Sequence, residues 1–323
     1  MIALIAIALA AGAASALMFA SILSGALISL VLFYLAPLPM MVAAIGWGSL
    51  CAGIGGVAAI IGLCTIFSLP YGTAFAIAVA LPAWWLGHLA LLGRPGNGPA
   101  SGDAIPAATP ALEWYPVGRL LLWVSVLAAL TTAAALLTLG TDAASITATL
   151  HQALSRILTS ADIPVSANMD QVIDAMIKIA PAAAAMMATL TLTLNLWLAA
   201  KITATSGLLH RPWPDLKTTT LPPMTLVALF AAIGFCFSGG LLAIFAIIVA
   251  ATLLMAYALS GFAVLHTLTL ALKSRPFWLG SAYALVVMFL WPVLALVALG
   301  LADAAFGLRQ KFWQRRPPPL PVP

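Results

Sequence analysis

Long apolar runs recur along the whole chain, and their length narrows the choice of folds. A transmembrane helix needs about 20 apolar residues, because each residue rises about 1.5 Å through a hydrocarbon layer about 30 Å thick. Lipid offers no hydrogen bonds, so the backbone in such runs must be helical. The sequence therefore predicts an all-α polytopic transmembrane bundle of about eight spans. They lie near 3–34, 40–67, 71–92, 118–139, 178–204, 223–238, 241–271 and 277–307.

The charge content agrees with a membrane protein and excludes several other classes. Only 7% of the residues are charged, whereas soluble domains carry about 25%. The net charge is +5, but the basic residues are scattered between apolar runs and form no stripe, so we expect no nucleic acid partner. We expect the lipid bilayer to be the main surroundings of the chain.

Motifs for chemistry are missing from the sequence. There is no HExxH, no GxSxG and no Walker loop, so hydrolytic and ATP-driven reactions lack their minimum parts. Cys51, Cys64 and Cys236 lie inside apolar runs without CxxC spacing, which favours buried thiols over a metal site. We predict no catalytic residues, no metal and no cofactor, and hence no enzyme.

Three segments fall outside the predicted spans: two lie within a single transmembrane domain over 1–309, and one follows it. Residues 141–177 carry apolar side chains at helical spacing on both sides of a break at Pro164, which predicts two short amphipathic helices that lie on the membrane or cap the bundle. Residues 310–323 form a basic, proline-rich tail. Residues 93–117, rich in Gly, Pro, Ala and Ser, are typical of a flexible loop.

The basic residues do not orient eight alternating spans. Seven fall on one side and six on the other, although Lys and Arg should be in excess on the cytoplasmic side. If 277–307 were instead a hairpin broken at Trp291-Pro292, the last four basic residues would change sides and the count would be eleven to two. Each half would then have only about 15 residues, fewer than the ~17 a crossing needs, so we predict one span there.

Small residues form rows on the first two spans, where close helix approach holds bundles together in lipid. Such rows serve either intramolecular packing or the docking of a partner subunit, and the sequence leaves both open. The residues concerned are Ala6, Ala10 and Ala14, then Ala8, Gly12, Ala16 and Ala20 on the first span, and Gly48, Ala52 and Gly56 on the second.

Polar groups at membrane depth are the candidates for ligand contact, because they are costly there. The alternative is packing between helices or, for His88, an aromatic cluster with Trp84 and Trp85 at the membrane interface. The candidates are Asn195 beside Trp197, His88 after Trp84-Trp85, His266, and Asp303. Asp303 precedes Arg309 by six residues, which is not a same-face helical spacing, so we expect the partner of Asp303 to come from elsewhere.

Several of these features together resemble the YybS-like family of bacterial multi-pass membrane proteins. They are the break Ala36-Pro37-Leu38-Pro39, the segment GWGSLCAGIGG, and Gly300-Leu301-Ala302-Asp303 with Phe306 and Arg309. That family is distantly similar to the substrate-binding subunits of energy-coupling-factor transporters. The resemblance implies a location in the bacterial inner membrane and a transmembrane partner subunit that docks on the alanine rows of the first helix.

The preferred hypothesis is thus a membrane bundle that binds a small apolar or amphipathic molecule as a subunit of a transporter. The alternative is a membrane scaffold or assembly protein without transport activity.

Overall fold

The computed structural model describes residues 1–95, 112–160, 169–289 and 291–314, and it is almost entirely α-helical. Seven helices are long and apolar enough to cross a membrane: Ile2–Ser24, Leu27–Trp47, Ser49–Ile66, Leu69–Ala90, Val117–Leu137, Met169–Thr205 and Gly240–Leu268. A bent pair, Val293–Phe306 with Leu308–Gln314, makes an eighth if it counts as one span. The predicted all-α polytopic bundle is confirmed.

The chain forms two compact units, which share the long helices α7 and α9. The first comprises residues 1–127 and 190–214. Its elements are α1 (Ile2–Ala20), α2 (Leu27–Leu35), α3 (Pro37–Trp47), α4 (Ser49–Ile66), α5 (Leu69–Phe75), α6 (Leu81–Ala90), strands β1 (Gly93–Pro95) and β2 (Leu112–Trp114), the start of α7 (Val117–Leu137) and the end of α9 (Met169–Thr205).

The first two predicted spans, 3–34 and 40–67, fold as three. The chain leaves the helix at Gly25 and again at Gly48, whose φ values are 67° and 95°. Only glycine adopts this left-handed region without strain, so each marks a turn between helices. Gly48 therefore ends α3 and is not part of a helical row with Ala52 and Gly56, which corrects the prediction.

Helices α1 and α4 pack with their backbones in contact. A Cβ atom added to Gly12 would overlap the carbonyl oxygen of Gly55, and one added to Gly55 would overlap that of Ala8. The thiol of Cys51 lies 3.8 Å from the carbonyl oxygen of Leu4. Because these contacts follow the same order along both helices, α1 and α4 run in the same direction.

The predicted loop 93–117 begins and ends in a two-stranded antiparallel ribbon. Arg94 lies opposite Glu113, and its Nε donates to the Glu113 carboxylate at 2.7 Å. This exposed hydrogen bond lowers the pKa of Glu113. Residues 96–111 lie outside the described residues.

The second unit comprises residues 128–189 and 215–323. Its elements are the end of α7, α8 (Ala143–Ser160), the start of α9, α10 (Met224–Phe235), α11 (Gly240–Leu268), α12 (Arg275–Phe289), α13 (Val293–Phe306) and α14 (Leu308–Gln314). The tail from residue 315 lies outside the described residues.

Helix α8 packs on other helices of this unit, and the location of 141–177 on the membrane or at the end of the bundle stays a prediction. Asp142 and Ser145 exchange hydrogen bonds at its N-terminus, with the Ser145 amide 2.9 Å from the Asp142 carboxylate, and these bonds lower the pKa of Asp142. Ile146 is buried against Leu136 and Ile248. The second predicted amphipathic helix does not exist as a separate element, since residues 169–177 are the first turns of α9.

The predicted span 277–307 is also divided, and the break falls at Trp291-Pro292. Helix α12 ends at Phe289 and α13 begins at Val293. Helix α13 packs on α11, because a Cβ atom added to Gly261 would overlap the carbonyl oxygen of Leu296 and one added to Gly300 would overlap that of Tyr257. A single continuous helix over 277–307 is therefore wrong.

Candidate functional site

Asn195 is the most deeply buried of the predicted ligand-contacting residues. Its side chain is 0% exposed. The amide nitrogen donates to the carbonyl oxygens of Tyr34 and Thr191, both at 2.8 Å. The side-chain oxygen Oδ1 has no hydrogen-bond donor among the described residues. The amide nitrogen of Asn195 thus has hydrogen-bond partners among the described residues, and its oxygen has none.

Pro37 explains why a backbone carbonyl group is available to the amide nitrogen of Asn195. Proline lacks the N–H of a normal helix and crowds the preceding turn, which frees carbonyl groups there. The carbonyl of Phe33 accepts from the amide of Ala36 at 3.2 Å, and that of Tyr34 accepts from Asn195. Asn195 therefore supplies a hydrogen bond at the junction of α2 and α3.

The other candidates in the first unit lie apart from Asn195 in their contacts. Trp197 is 42% exposed, because two residues along a helix point to nearly opposite faces. His88 packs beside Trp84 and Trp85 at ring-centroid distances of 6.3 and 6.1 Å. This is the aromatic cluster that the sequence left open as an alternative to a ligand contact.

In the second unit, His266 makes a polar contact with the neighbouring helix α12. Its Nε2 lies 2.8 Å from the hydroxyl of Tyr283. The Tyr283 ring stacks on Phe262 with centroids 5.0 Å apart. Sequence reasoning named His266 but gave no sign that it meets Tyr283, because 17 residues and a turn separate the two.

Asp303 pairs with Arg309, which corrects the prediction that its partner lies elsewhere. The Asp303 carboxylate accepts from the Arg309 guanidinium at 2.6 and 2.9 Å and from its backbone amide at 2.9 Å. The residues are 7% and 6% exposed. The spacing rule holds only within one helix, and Gly307, at φ 63°, ends α13 so that α14 turns away by 65°.

The ion pair also fastens a distant loop. Arg309 donates to the backbone carbonyl of Lys217 at 2.7 Å. Lys217 lies in the connection between α9 and α10, and no signal in the sequence linked it to the terminal helices. A buried pair with its hydrogen bonds made is the arrangement that offsets the cost of removing two charges from water.

The predicted docking residues divide into buried and exposed sets. Gly12, Ala52 and Gly56 are buried within the first unit, where Gly56 faces Met40 and Ala80. Intramolecular packing therefore accounts for these three. Ala6 and Ala10 are exposed on α1, and Ala14 is half-buried.

No three His, Cys, Asp or Glu side chains come together as a metal-binding group in the parts of the chain that the structure describes.

Comparison with known protein families decides the affiliation of the chain. The model of the family described as "Predicted membrane protein (DUF2232)" matches residues 13–304. The chain belongs to the DUF2232 family. The family model covers the candidate spans except for the residues of α1 before 13 and the residues of the bent pair after 304. No curated protein and no solved structure matches. The resemblance to YybS-like proteins and to energy-coupling-factor subunits stays a prediction.

The direction of α13 bears on how this DUF2232 protein crosses the membrane. Gly261 of α11 faces Leu296 of α13, and Tyr257 faces Gly300, so the two helices run in opposite directions. A chain that turned back at Trp291-Pro292 after α12 would make α13 run in the same direction as α11, so these contacts do not favour the hairpin. The side of the membrane on which each basic residue lies stays a prediction.

Substituted cysteines test whether α11 of the DUF2232 protein crosses the bilayer. Ser274 follows the end of α11, whereas Ala144 lies at the start of α8, whose Ile146 packs against Ile248 and the first turns of α11. In a variant without the three native cysteines, Ser274→Cys and Ala144→Cys should therefore be labelled by a membrane-impermeant maleimide from opposite sides. Labelling of both positions from one side would contradict a crossing by α11.

Proposed function

We propose that this DUF2232 protein binds a small apolar or amphipathic molecule between the helices of its first unit, as the substrate-binding part of a transporter in the bacterial inner membrane. The unpartnered Oδ1 of Asn195 carries the proposal. Leaving a buried acceptor unsatisfied costs about 1–3 kcal/mol, and a ligand hydroxyl or N–H would remove that cost.

The position of Asn195 fits a ligand with both apolar and polar parts. The residue lies within α9, and its described polar contacts are to the two backbone carbonyls alone. An apolar body would pack between the helices while one donor reaches Oδ1. Pockets for small molecules have this composition, with a few polar groups among apolar side chains.

Mass spectrometry of co-purifying small molecules tests the proposal. We expect a compound enriched in the wild-type protein and reduced about tenfold in Asn195→Leu, since one hydrogen bond to a buried acceptor is worth about 1–3 kcal/mol. Trp197→Leu, on the exposed face of the same helix, is the matched control and should retain the compound.

A second variant separates ligand loss from damage to the fold. In Asn195→Asp, the protonated carboxyl group would donate to the Tyr34 carbonyl and keep an acceptor oxygen, so this variant should retain the compound. The same set of compounds in wild type and Asn195→Leu, or no enriched compound in any sample, would refute ligand binding at this residue.

The exposed alanines of α1 support the scaffold as a second candidate function. Ala6 and Ala10 face away from the first unit, where a partner helix could approach closely. A photo-crosslinking residue at position 10 would capture a transmembrane subunit linked to an ATPase if the protein belongs to a transporter. Capture of envelope-assembly proteins would favour the scaffold.

A further inference from the structure

The polar side chain of Ser15 on α1 is as deeply buried as that of Asn195, since both residues are 0% exposed. The Ser15 hydroxyl makes no hydrogen bond among the described residues. Serines within helices often donate to the carbonyl four residues earlier, as Ser125 does to Leu121 at 3.1 Å. Because Ser15 forms no such bond within the described chain, its hydroxyl is available to a molecule from outside the chain.

Contacts on either side of Ser15 fix the register of α1 against α2 and α3. The ring of Phe19 lies beside that of Phe33, with centroids 5.2 Å apart. Toward the other end of α1, Ala8 packs in one core cluster with Ala43. Because residue numbers fall along α1 while they rise along α2 and α3, the two segments run in opposite directions.

This register places Ser15 at the same level as Asn195. One helical turn before Phe19 on α1 corresponds to one turn after Phe33 on the antiparallel segment, which is the junction of α2 and α3. The Tyr34 carbonyl at this junction accepts from the Asn195 amide nitrogen at 2.8 Å. Ser15 and Asn195 therefore lie at one depth of the first unit, beside the same junction.

Helices α1 and α9 approach α3 from neighbouring sides. Ala43 of α3 belongs to the core cluster that it forms with α1. A Cβ atom added to Gly46 of α3 would lie 3.4 Å from the Thr203 side chain of α9. Residues three apart on a helix are neighbours on its surface. Ser15 on α1 and Asn195 on α9 are thus placed to contact one molecule that lies against the junction.

The chemistry of these two groups favours a neutral ligand. The side-chain oxygen of an asparagine only accepts hydrogen bonds, whereas a serine hydroxyl both donates and accepts. The described hydrogen bonds at the junction join the Asn195 amide to backbone carbonyls and include no charged side chain. A buried charge without a counter-charge is costly, so a carboxylate or an ammonium group would be disfavoured here.

We propose that Ser15 is a second binding residue for the substrate, and that the substrate carries a neutral group with a donor and an acceptor, such as a hydroxyl or a carboxamide. The donor of this group bonds to Oδ1 of Asn195, and its acceptor receives the Ser15 hydroxyl proton in a hydrogen bond. This inference rests on the proposed function, because it extends the site at Asn195.

Mass spectrometry of co-purifying compounds tests the role of Ser15. We expect Ser15→Ala to lose about tenfold of the compound that is enriched in wild type and reduced in Asn195→Leu, as expected for one hydrogen bond to a buried group. Ser29→Ala is the matched control, because Ser29 is also buried but donates to the Ala26 carbonyl, and it should retain the compound.

An unfolding titration with sodium dodecyl sulfate distinguishes ligand contact from a structural role of Ser15. Ser15→Ala removes a buried polar group that has no partner among the described residues, so it should be at least as stable as wild type. A destabilised Ser15→Ala variant would show that the hydroxyl has a partner within the protein and would overturn the proposal.

A thiol reagent tests the space beside Ser15 without a known substrate. The probe is methyl methanethiosulfonate, a small neutral molecule that adds a methylthio group to a thiol. We expect it to modify Ser15→Cys in a variant without the three native cysteines. A variant that keeps only Cys51 is the control and should not react, because Cys51 is also 0% exposed and its thiol packs 3.8 Å from the Leu4 carbonyl oxygen.

The two experiments distinguish failure of this inference from failure of the proposed function. A compound lost in Asn195→Leu but retained in Ser15→Ala would overturn the role of Ser15 and leave the proposed function standing. If no compound co-purifies, the proposed function fails, and the thiol reaction decides on Ser15 alone. Modification at position 15 would then support a site open to small neutral molecules, and a lack of reaction like that of Cys51 would overturn it.

Discussion

Asp303→Ala should lower the free energy of unfolding by about 3–5 kcal/mol, because it leaves the buried Arg309 guanidinium without its counter-charge. The effect is large since the carboxylate accepts three bonds, two from the guanidinium and one from the Arg309 amide near the start of α14. Titration of the detergent-solubilised protein with sodium dodecyl sulfate, followed by tryptophan fluorescence, measures the loss.

Two controls distinguish the loss of the buried ion pair from the loss of a charged side chain elsewhere. Asp215→Ala removes the acid of a half-exposed pair and should cost less than about 1 kcal/mol. The double variant Asp303→Leu with Arg309→Leu removes both charges and should be more stable than Asp303→Ala alone. If Asp303→Ala unfolded like Asp215→Ala, the pair would not fasten α14 to α13.

Alanine at Gly12, Gly261 or Gly300 should destabilise the protein by about 1–3 kcal/mol, the usual cost of overpacking a well-packed contact. At each position the added Cβ atom would overlap a backbone carbonyl oxygen of the facing helix, and a backbone yields less readily than a side chain. The pairs concerned are α1 with α4 and α11 with α13. The same unfolding titration measures the cost.

Gly62→Ala and Gly280→Ala are the matched controls, since an added Cβ atom meets nothing within 4 Å at either position. Alanine favours a helix over glycine by about 1 kcal/mol, so these variants should be neutral or more stable. The predicted effects thus have opposite signs. Equal effects at Gly12 and Gly62 would contradict a backbone contact between α1 and α4.

The glycines show what residue spacing can and cannot predict about the structure of this protein. A four-residue row suggested that Gly48, Ala52 and Gly56 share a helix face, yet Gly48 ends α3 with φ 95°. Meanwhile Gly55, outside that row, makes a backbone contact with α1. Glycine permits both a turn and a close contact, and its spacing alone does not distinguish them.

The polar candidates show a similar division. The burial of Asn195 and Asp303 follows from their place in apolar runs, so both could be named from the sequence. Their partners could not, since Tyr34 lies 161 residues from Asn195 and Arg309 reaches Asp303 only because Gly307 interrupts the helix.

The amino-acid sequence alone determined that this chain is a helical membrane protein, because the length of an apolar run and the need to pair every backbone group are local properties. The tertiary structure alone decided where the chain turns, which glycines bring backbones together and which charges are paired. Those features depend on contacts between residues far apart in the chain, and hydrophobicity, which is nearly uniform here, carries little information about them.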